Sequence, residues 1–310
     1  MHRRDFLALA AAAPLAAQSD NRDPALVRLL ETKWVNEPKP GQLPTGVSHR
    51  TYRSKALGKE VGYCVYLPPS YDRSPGRRYP VIYNLHDAGG NEVARLRRGG
   101  AAREGHPAGK LPEMILAMPN GGKTTFYKDS YDGKWPAETM TIREFIPLID
   151  AQFRTIPERA GRCIEGFSMG GRGSTRLAMK YPEMFCSLFN QAGNVPHTSQ
   201  NYDPSKPEVY PNFYLGPNKQ NYIDNDVFLL IEKNLDKIKQ MRIQVWCGTK
   251  DDGHLPTVRE YHQALVDAGV DHTYMEIEGL AHKRTEMIAR YADIWFDYHV
   301  ESLHRSGALA

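Results

Sequence analysis

The chain has 310 residues, 41% of them hydrophobic and 25% charged, a balance that excludes a disordered, collagen-like or membrane-embedded protein. Forty basic against thirty-six acidic side chains leave a formal charge of +4, too small an excess to hold a polyanion without a clustered basic face. The densest cluster, Arg95, Arg97 and Arg98, stands beside Gly99 and Gly100 and reads as a solvated loop, so no nucleic-acid partner is expected.

In chain order, the first feature is Arg3-Arg4 ahead of an apolar stretch at 6–17, with small Ala16 and Ala17 near a plausible cleavage point. This resembles a twin-arginine export signal, which implies a periplasmic or extracellular protein. The stretch is too short for a helix that crosses a bilayer core, which takes about 20 residues. No later segment is apolar enough to span, so stable membrane insertion is not expected. Residues 18–310 are read as one domain: length suggests about two units at about 150 residues each, but α/β folds run to roughly 250 as one.

From there strand-like and helix-like patterns alternate. Strands are predicted at 61–67, 79–85, 114–118, 162–165, 188–190, 243–246 and 273–277, several of them short apolar runs ended by Gly, Pro or Asn. Such runs suit strands covered on both faces. Helical patterns fall at 142–153, 173–180, 257–268 and 285–298; the second, where Leu177 and Met179 alternate with Arg176 and Lys180, stops at Tyr181-Pro182. Alternation of this kind argues a mostly parallel central sheet with helices on both faces. Residues 194–225 break the pattern with five prolines among Tyr202, Tyr210, Phe213, Tyr214 and Tyr222. A loop this long is usually functional or disordered, and the aromatics argue against disorder. Cys64, Cys163, Cys186 and Cys247 are too few for a disulfide scaffold, and three of them sit in apolar runs as small hydrophobes.

The chemistry centres on Gly166-Phe167-Ser168-Met169-Gly170-Gly171, a G-x-S-x-G between a predicted strand and a predicted helix. The motif needs a tight turn that exposes the Ser168 hydroxyl, and side chains at 166 and 170 would strike neighbouring backbone. The Met169 amide, at the start of the helix, then points to where an oxyanion would form. A serine of this kind needs a base and an orienting acid, which follow in the order acid then histidine, each after a later strand. His282, in the glycine-containing loop after 273–277, is the histidine in that place. The acid is Asp251 or Asp252, in Gly248-Thr249-Lys250-Asp251-Asp252 after the strand at 243–246. A second oxyanion donor is expected from the main chain of Asp87 or Ala88, in Leu85-His86-Asp87-Ala88-Gly89-Gly90, where His86 reads as structural. Gly122-Lys123-Thr124 lacks the earlier glycine of a phosphate loop, and Gly171-Arg172-Gly173 lacks the third glycine of a dinucleotide site. His254 beside Asp251 and Asp252 has no second ligand pair at regular spacing, so neither metal nor cofactor is expected.

The glycine–serine motif, the His86 loop, Tyr63-Cys64-Val65-Tyr66-Leu67-Pro68-Pro69 and Phe145-Ile146-Pro147-Leu148-Ile149-Asp150 together resemble the esterase D-like family of α/β-hydrolases. That family includes feruloyl and acetyl-xylan esterases and S-formylglutathione hydrolases, and the likeness runs from about Ser48 to Tyr298. It implies an α/β-hydrolase fold and a serine esterase with Ser168 as nucleophile, Asp251 as acid and His282 as base. The spacing Gly248-Thr249-Lys250-Asp251 matches the family's G-x-x-D, whereas Pro256 lies where relatives would select Asp252. The family's His-Gly is His86-Asp87 here, a departure inside the oxyanion loop. The resemblance implies a small-molecule or polysaccharide ester as substrate, of feruloyl or acetyl type. Sites of this fold lie at the carboxyl ends of strands, so the loop at 194–225, which follows the strand at 188–190, is expected to line the pocket with Tyr202, Tyr210, Phe213 and Tyr214. An acyltransferase or peptidase would use the same triad. A non-catalytic binding protein on this scaffold would lack a triad member, and none is missing. Oligomeric state is not legible in the sequence.

Overall fold

Runs such as Val81-Ile82-Tyr83-Asn84-Leu85 have no polar face to turn to water, and the structure, a computed structural model describing residues 31–93, 113–206 and 212–309, buries them whole. The expected export segment, the Arg95, Arg97 and Arg98 cluster and Tyr210 lie outside the described residues. Eight strands form one sheet: β1 (Val47–Arg53), β2 (Glu60–Tyr66), β3 (Val81–Leu85), β4 (Ile115–Pro119), β5 (Arg162–Phe167), β6 (Ser187–Gln191), β7 (Arg242–Gly248) and β8 (His272–Ile277). Their order is β1-β2-β4-β3-β5-β6-β7-β8, antiparallel at the first two junctions and parallel from β4 to β8. This is the α/β-hydrolase fold, with seven of the eight strands where the apolar runs predicted them. The eighth, β1, escaped because Val-Ser-His-Arg-Thr-Tyr-Arg is an edge strand in which Tyr52 alone is buried as a whole residue.

The helices are α1 (Ala137–Thr139), which runs through a π-helical stretch (Met140–Phe145) into α2 (Ile146–Gln152), then α3 (Met169–Lys180), α4 (Asn212–Leu215), α5 (Lys219–Ile223), α6 (Val227–Ile238), α7 (Leu255–Asp267) and α8 (Arg284–Arg305). Among the described residues none is long and apolar enough to cross a membrane. Helix α3 starts four residues before its predicted start, because Gly170, Gly171 and Gly173 hide the turn from a propensity reading. Residues 194–225, expected as one long loop, carry α4, α5 and a 3₁₀ turn (Ser199–Asn201). The next helix, α6, was overlooked although Asp226 announces it: its carboxylate accepts the Phe228 and Leu229 amides as an N-cap, and Val227, Leu230 and Ile231 follow at helical spacing. The other oxygen of Asp226 accepts from the Ser199 amide and hydroxyl, both at 2.7 Å, which ties the irregular segment to the helix.

Side chains alternate across a strand, so β5 shows how both faces are covered. On one face Gly166 lies against α3. On the other, Glu165 accepts from Trp295 Nε1 of α8 at 3.0 Å and from Gln191 Nε2 at 2.9 Å, and also pairs with Asn84 and with His299 Nε2 at 3.4 Å. Glu165, Gln191 and His299 are fully buried, so polar atoms of the core find partners there rather than water. Arg176, expected on the polar side of α3, is buried instead: its guanidinium meets Glu138 and the Tyr127 carbonyl, and donates to Asn225 Oδ1 at 2.8 Å. Burial alone would raise the Glu138 carboxyl, but Arg176 and Lys180 outweigh it and hold it down at about 2. All four cysteines are buried free thiols; Cys163 Sγ and Cys186 Sγ lie 4.0 Å apart.

Candidate active site

The turn from β5 into α3 leaves no room for side chains beside its serine. A Cβ on Gly166 would stand 2.3 Å from the Gly170 carbonyl carbon, and one on Gly170 would stand 2.1 Å from the Leu85 oxygen. With those positions empty the strand and helix close tightly, and Ser168 is held at φ 56°, a conformation that side chains other than Gly rarely adopt. Such strain costs on the order of 1–3 kcal/mol and persists only where the surroundings fix it. The Ser168 amide donates to the Gln191 carbonyl at 2.9 Å, which supplies that fixation. Met169 opens α3, so its amide is among those a helix leaves without an internal acceptor.

Two later strands deliver the partners. His282, in the loop after β8, places Nε2 2.8 Å from Ser168 Oγ and Nδ1 2.5 Å from Asp251 Oδ2. Asp251 follows β7 and is buried, whereas its neighbour Asp252 is exposed. A carboxylate only accepts, so the Asp251 contact puts the ring proton on Nδ1 and leaves Nε2 as the acceptor that faces the serine. Burial alone would raise the Asp251 carboxyl, but hydrogen bonds from His254 and His282 outweigh it and hold it at about 2. Asp251 therefore stays charged through the neutral range. Phe167 packs on the His282 ring at 4.7 Å. The structure thus brings Ser168, His282 and Asp251 into one hydrogen-bonded line.

Asp87 and Ala88 lie in the loop after β3, and that loop is pinned from several sides. His86 is buried, with Nδ1 donating to the Asp87 carbonyl at 2.9 Å and Nε2 accepting the Gly121 amide at 3.0 Å, so both nitrogens are committed to backbone. Gly90 N donates to the Asp87 carbonyl at 3.0 Å, and Gly89 N to the Lys123 carbonyl at 2.7 Å. Glu92, fully buried just beyond, accepts from the Asn36 amide at 2.6 Å, from Asn120 Nδ2 at 2.9 Å and from His49 Nε2 at 3.2 Å. This anchor was not foreseen, since its partners lie far away in sequence. The carbonyls of Leu85 and His86 come closest to the Gly170 position, which sets the loop against the start of α3.

Of the aromatics expected to line a pocket, Phe213 and Tyr214 are buried in the packed interior. Tyr202 keeps partial exposure; its ring meets Tyr222 edge-on at 4.9 Å and its hydroxyl donates to the Pro217 carbonyl at 2.8 Å. The residue sequence reasoning weighed only as a metal ligand is His254. Its Nδ1 lies 2.8 Å from the other Asp251 oxygen, and its ring stacks on His282 at 4.0 Å with planes 5° apart. Asp251, His254 and His282 form the one grouping with metal-ligand spacing found among the described residues, one ligand atom of each lying within 4.8 Å of the others. Both Nδ1 atoms already face the carboxylate, so a cation there would displace the triad's own hydrogens.

Comparison with known proteins gives the family. The family model described as Putative esterase matches residues 54–294. Esterase Rv1288 of Mycobacterium tuberculosis is 31% identical over 255 residues, which cover 74% of this chain and 54% of that protein. The chain thus spans about half the length of the curated relatives it matches first. An endo-1,4-beta-xylanase/feruloyl esterase of Xylanibacter ruminicola is 35% identical over 144 residues, covering 44% of this chain and 20% of that one. Among solved structures, a ferulic acid esterase superposes with a TM-score of 0.69 at 25% identity, covering 83% of this chain and 98% of the other.

Proposed function

The chain belongs to the Putative esterase family, and on that premise we propose that it hydrolyses carboxylic esters through an acyl-serine intermediate. The observation that carries the reading is the unbroken line from Ser168 Oγ through His282 to Asp251. His282 Nε2 takes the hydroxyl proton as Ser168 Oγ attacks the ester carbonyl, and Asp251 stabilises the imidazolium that results. The tetrahedral oxyanion is held by the Met169 amide and a main-chain amide of Asp87 or Ala88, each donor contributing about 3 kcal/mol in a comparable enzyme. His282 then returns its proton to the departing alcohol. A water deprotonated by the same nitrogen releases the acid and restores the serine.

The substrate is proposed as an acylated plant polysaccharide or an aryl ester of feruloyl or acetyl type. Support comes from the activities after which the Xylanibacter ruminicola relative and the superposed ferulic acid esterase are named, and from partly exposed Tyr202. A polymeric substrate suits a protein sent out of the cytoplasm, which Arg3-Arg4 before the apolar 6–17 stretch supports. Changing Arg3 and Arg4 to Lys should leave the protein unprocessed inside the cell; equal export of the doubly substituted chain would overturn this route.

The decisive test of the chemistry is a fluorophosphonate probe followed by peptide mapping. The label should sit on Ser168 and be absent from Ser168→Ala, and feruloyl, acetyl and thioester substrates should then be ranked by kcat/KM. A label on another serine, with hydrolysis kept by Ser168→Ala, would sink the reading.

A further inference from the structure

We infer that His254 is a positioning residue for the proposed reaction, holding the second oxygen of the triad acid and backing the ring of the base. The inference rests on the reading of Ser168, His282 and Asp251 as the reacting array.

A carboxylate turns easily about its last side-chain bond, because that torsion is broad and two-fold. The contacts on Oδ2, from His282 Nδ1 and more weakly from the Cys247 thiol at 3.9 Å, hold one oxygen and leave the group free to rock about it. Here Oδ1 is taken as well, by His254 Nδ1 at 2.8 Å. The ring planes are 5° apart and their centroids 4.0 Å apart, so two parallel imidazoles present their Nδ1 atoms to the two oxygens of one carboxylate. Since a carboxylate accepts only, both rings carry their proton on Nδ1. For His282 that is the tautomer whose Nε2 can accept from Ser168. His254 thus fixes the plane of the acid, the acid fixes the tautomer and tilt of the base, and the flat face of His254 resists tipping of the His282 ring.

The backbone explains how a histidine comes to stand there. After Asp251 the chain swings out through exposed Asp252 and Gly253, where a Cβ would meet nothing within 4 Å, and returns as the residue just before α7. The His254 amide donates to the Asp251 carbonyl at 3.0 Å, and its own carbonyl accepts from the Val258 amide and from Thr257 Oγ1, both at 3.1 Å. Thr257 Oγ1 also accepts the Val195 amide at 3.1 Å, which fastens this corner to the segment after β6. The His254 side chain keeps 24% of its surface exposed, so it is not core filler. The partners of its ring are the acid and the base themselves.

Three substitutions separate the two contributions. His254→Phe keeps a ring against His282 without a donor, His254→Asn keeps a donor for Oδ1 without the ring, and His254→Ala keeps neither. A hydrogen bond to a charged group is worth about 1.5–3 kcal/mol, so His254→Ala and His254→Phe should lower kcat for p-nitrophenyl acetate by about 10- to 100-fold with KM changed less than about twofold. His254→Asn should recover most of that loss. The Nδ1 proton resonance of His282 should broaden in the Ala and Phe variants and stay sharp in Asn. Full kcat in all three variants overturns the inference, as does an equal loss in all three or a loss confined to KM. Ser168→Ala, run alongside, keeps the outcomes apart: if it abolishes hydrolysis while the His254 series is silent, only this inference fails. If it does not, the proposed function fails first.

Discussion

Ser168, His282 and Asp251 at the carboxyl edge of the sheet have a near-copy in the core, where Ser187 Oγ lies 2.9 Å from His299 Nδ1 and His299 Nε2 lies 3.4 Å from Glu165 Oε2. Both line up a serine, a histidine and a carboxylate, but the acid is Asp251 outside and Glu165 inside, the imidazole is turned end for end, and the surroundings differ throughout. Ser187 and His299 are fully buried, Ser187 sits within β6, and Glu165 is engaged by Trp295, Gln191 and Asn84 as well. Ser168 is strained at φ 56°, stands at the start of a helix and is half open, with a glycine-rich loop beside it. A serine, a histidine and an acid in line are therefore a small part of a hydrolytic site. Access and a backbone that lifts the hydroxyl out of the sheet separate the outer array from the inner one, and in the proposed reaction so do the amides that would hold the oxyanion.

Five substitutions test that contrast, from the largest effect to the smallest. Ser168→Ala should lower kcat on p-nitrophenyl acetate by about 10⁴-fold or more, by analogy with triad deletions in serine proteases, while the melting temperature holds, since the hydroxyl is not packed in a core. Asp251→Asn should cost about 10⁴-fold in kcat by leaving His282 in the wrong tautomer. Exposed Asp252→Asn should cost less than about tenfold, and the reverse ranking would move the acid by one residue. Glu165→Ala reverses the pattern: it strips several buried donors of their acceptor and should destabilise the fold by about 3–5 kcal/mol in urea. Whatever folded fraction remains should keep its kcat. Ser187→Ala removes one buried hydrogen bond and should lower stability by only about 1 kcal/mol, with kcat/KM unchanged. A hydrolytic loss in Ser187→Ala as large as in Ser168→Ala would erase the distinction.

The acid side of the pH range treats the outer array's acid and a second buried carboxylate alike. Asp251 and Glu138 both have carboxyls held at about 2, below the ordinary carboxylate value, because paired cations or imidazoles outweigh burial. A carboxyl depressed in the folded state stabilises the fold above its unfolded value and loses that contribution as pH falls toward the folded one. The contribution of these two groups should therefore be intact at neutral pH and drain away between about pH 4 and 2. In Glu138→Gln that part of the acid sensitivity disappears, which a urea midpoint measured across the interval will register.

How much of this was legible in the sequence follows from which interactions are local. The apolar runs that became β2 to β8 carry their burial in their own composition, and Gly166-Phe167-Ser168-Met169-Gly170 carries its turn in its own spacing. Strand β1 did not announce itself, because pairing with β2 and not burial makes it a strand. Arg176 looked like a surface residue because its partners, Glu138 and Asn225, are tens of residues away. The acid was ambiguous between neighbours because Asp252 and Gly253 add length that sequence spacing cannot phase, whereas in three dimensions one carboxylate turns inward and the other outward. His254 was invisible as a partner of the triad for the same reason: its ring reaches Asp251 and His282 only after the chain has doubled back.

The hydrogen bond between Ser168 and His282 joins positions 114 residues apart in the chain. Closing a loop of that size in a flexible chain costs about 4 kcal/mol of entropy, repaid only once β5, β6, β7 and β8 lie side by side. The last of these is the edge of the sheet, with most of its side chains only half covered. On the proposed reading, ester turnover therefore requires this edge strand to be docked as well as the central ones. The proposed hydrolysis would thus serve as a reporter for the outermost strand, since without β8 in place His282 is not held against Ser168.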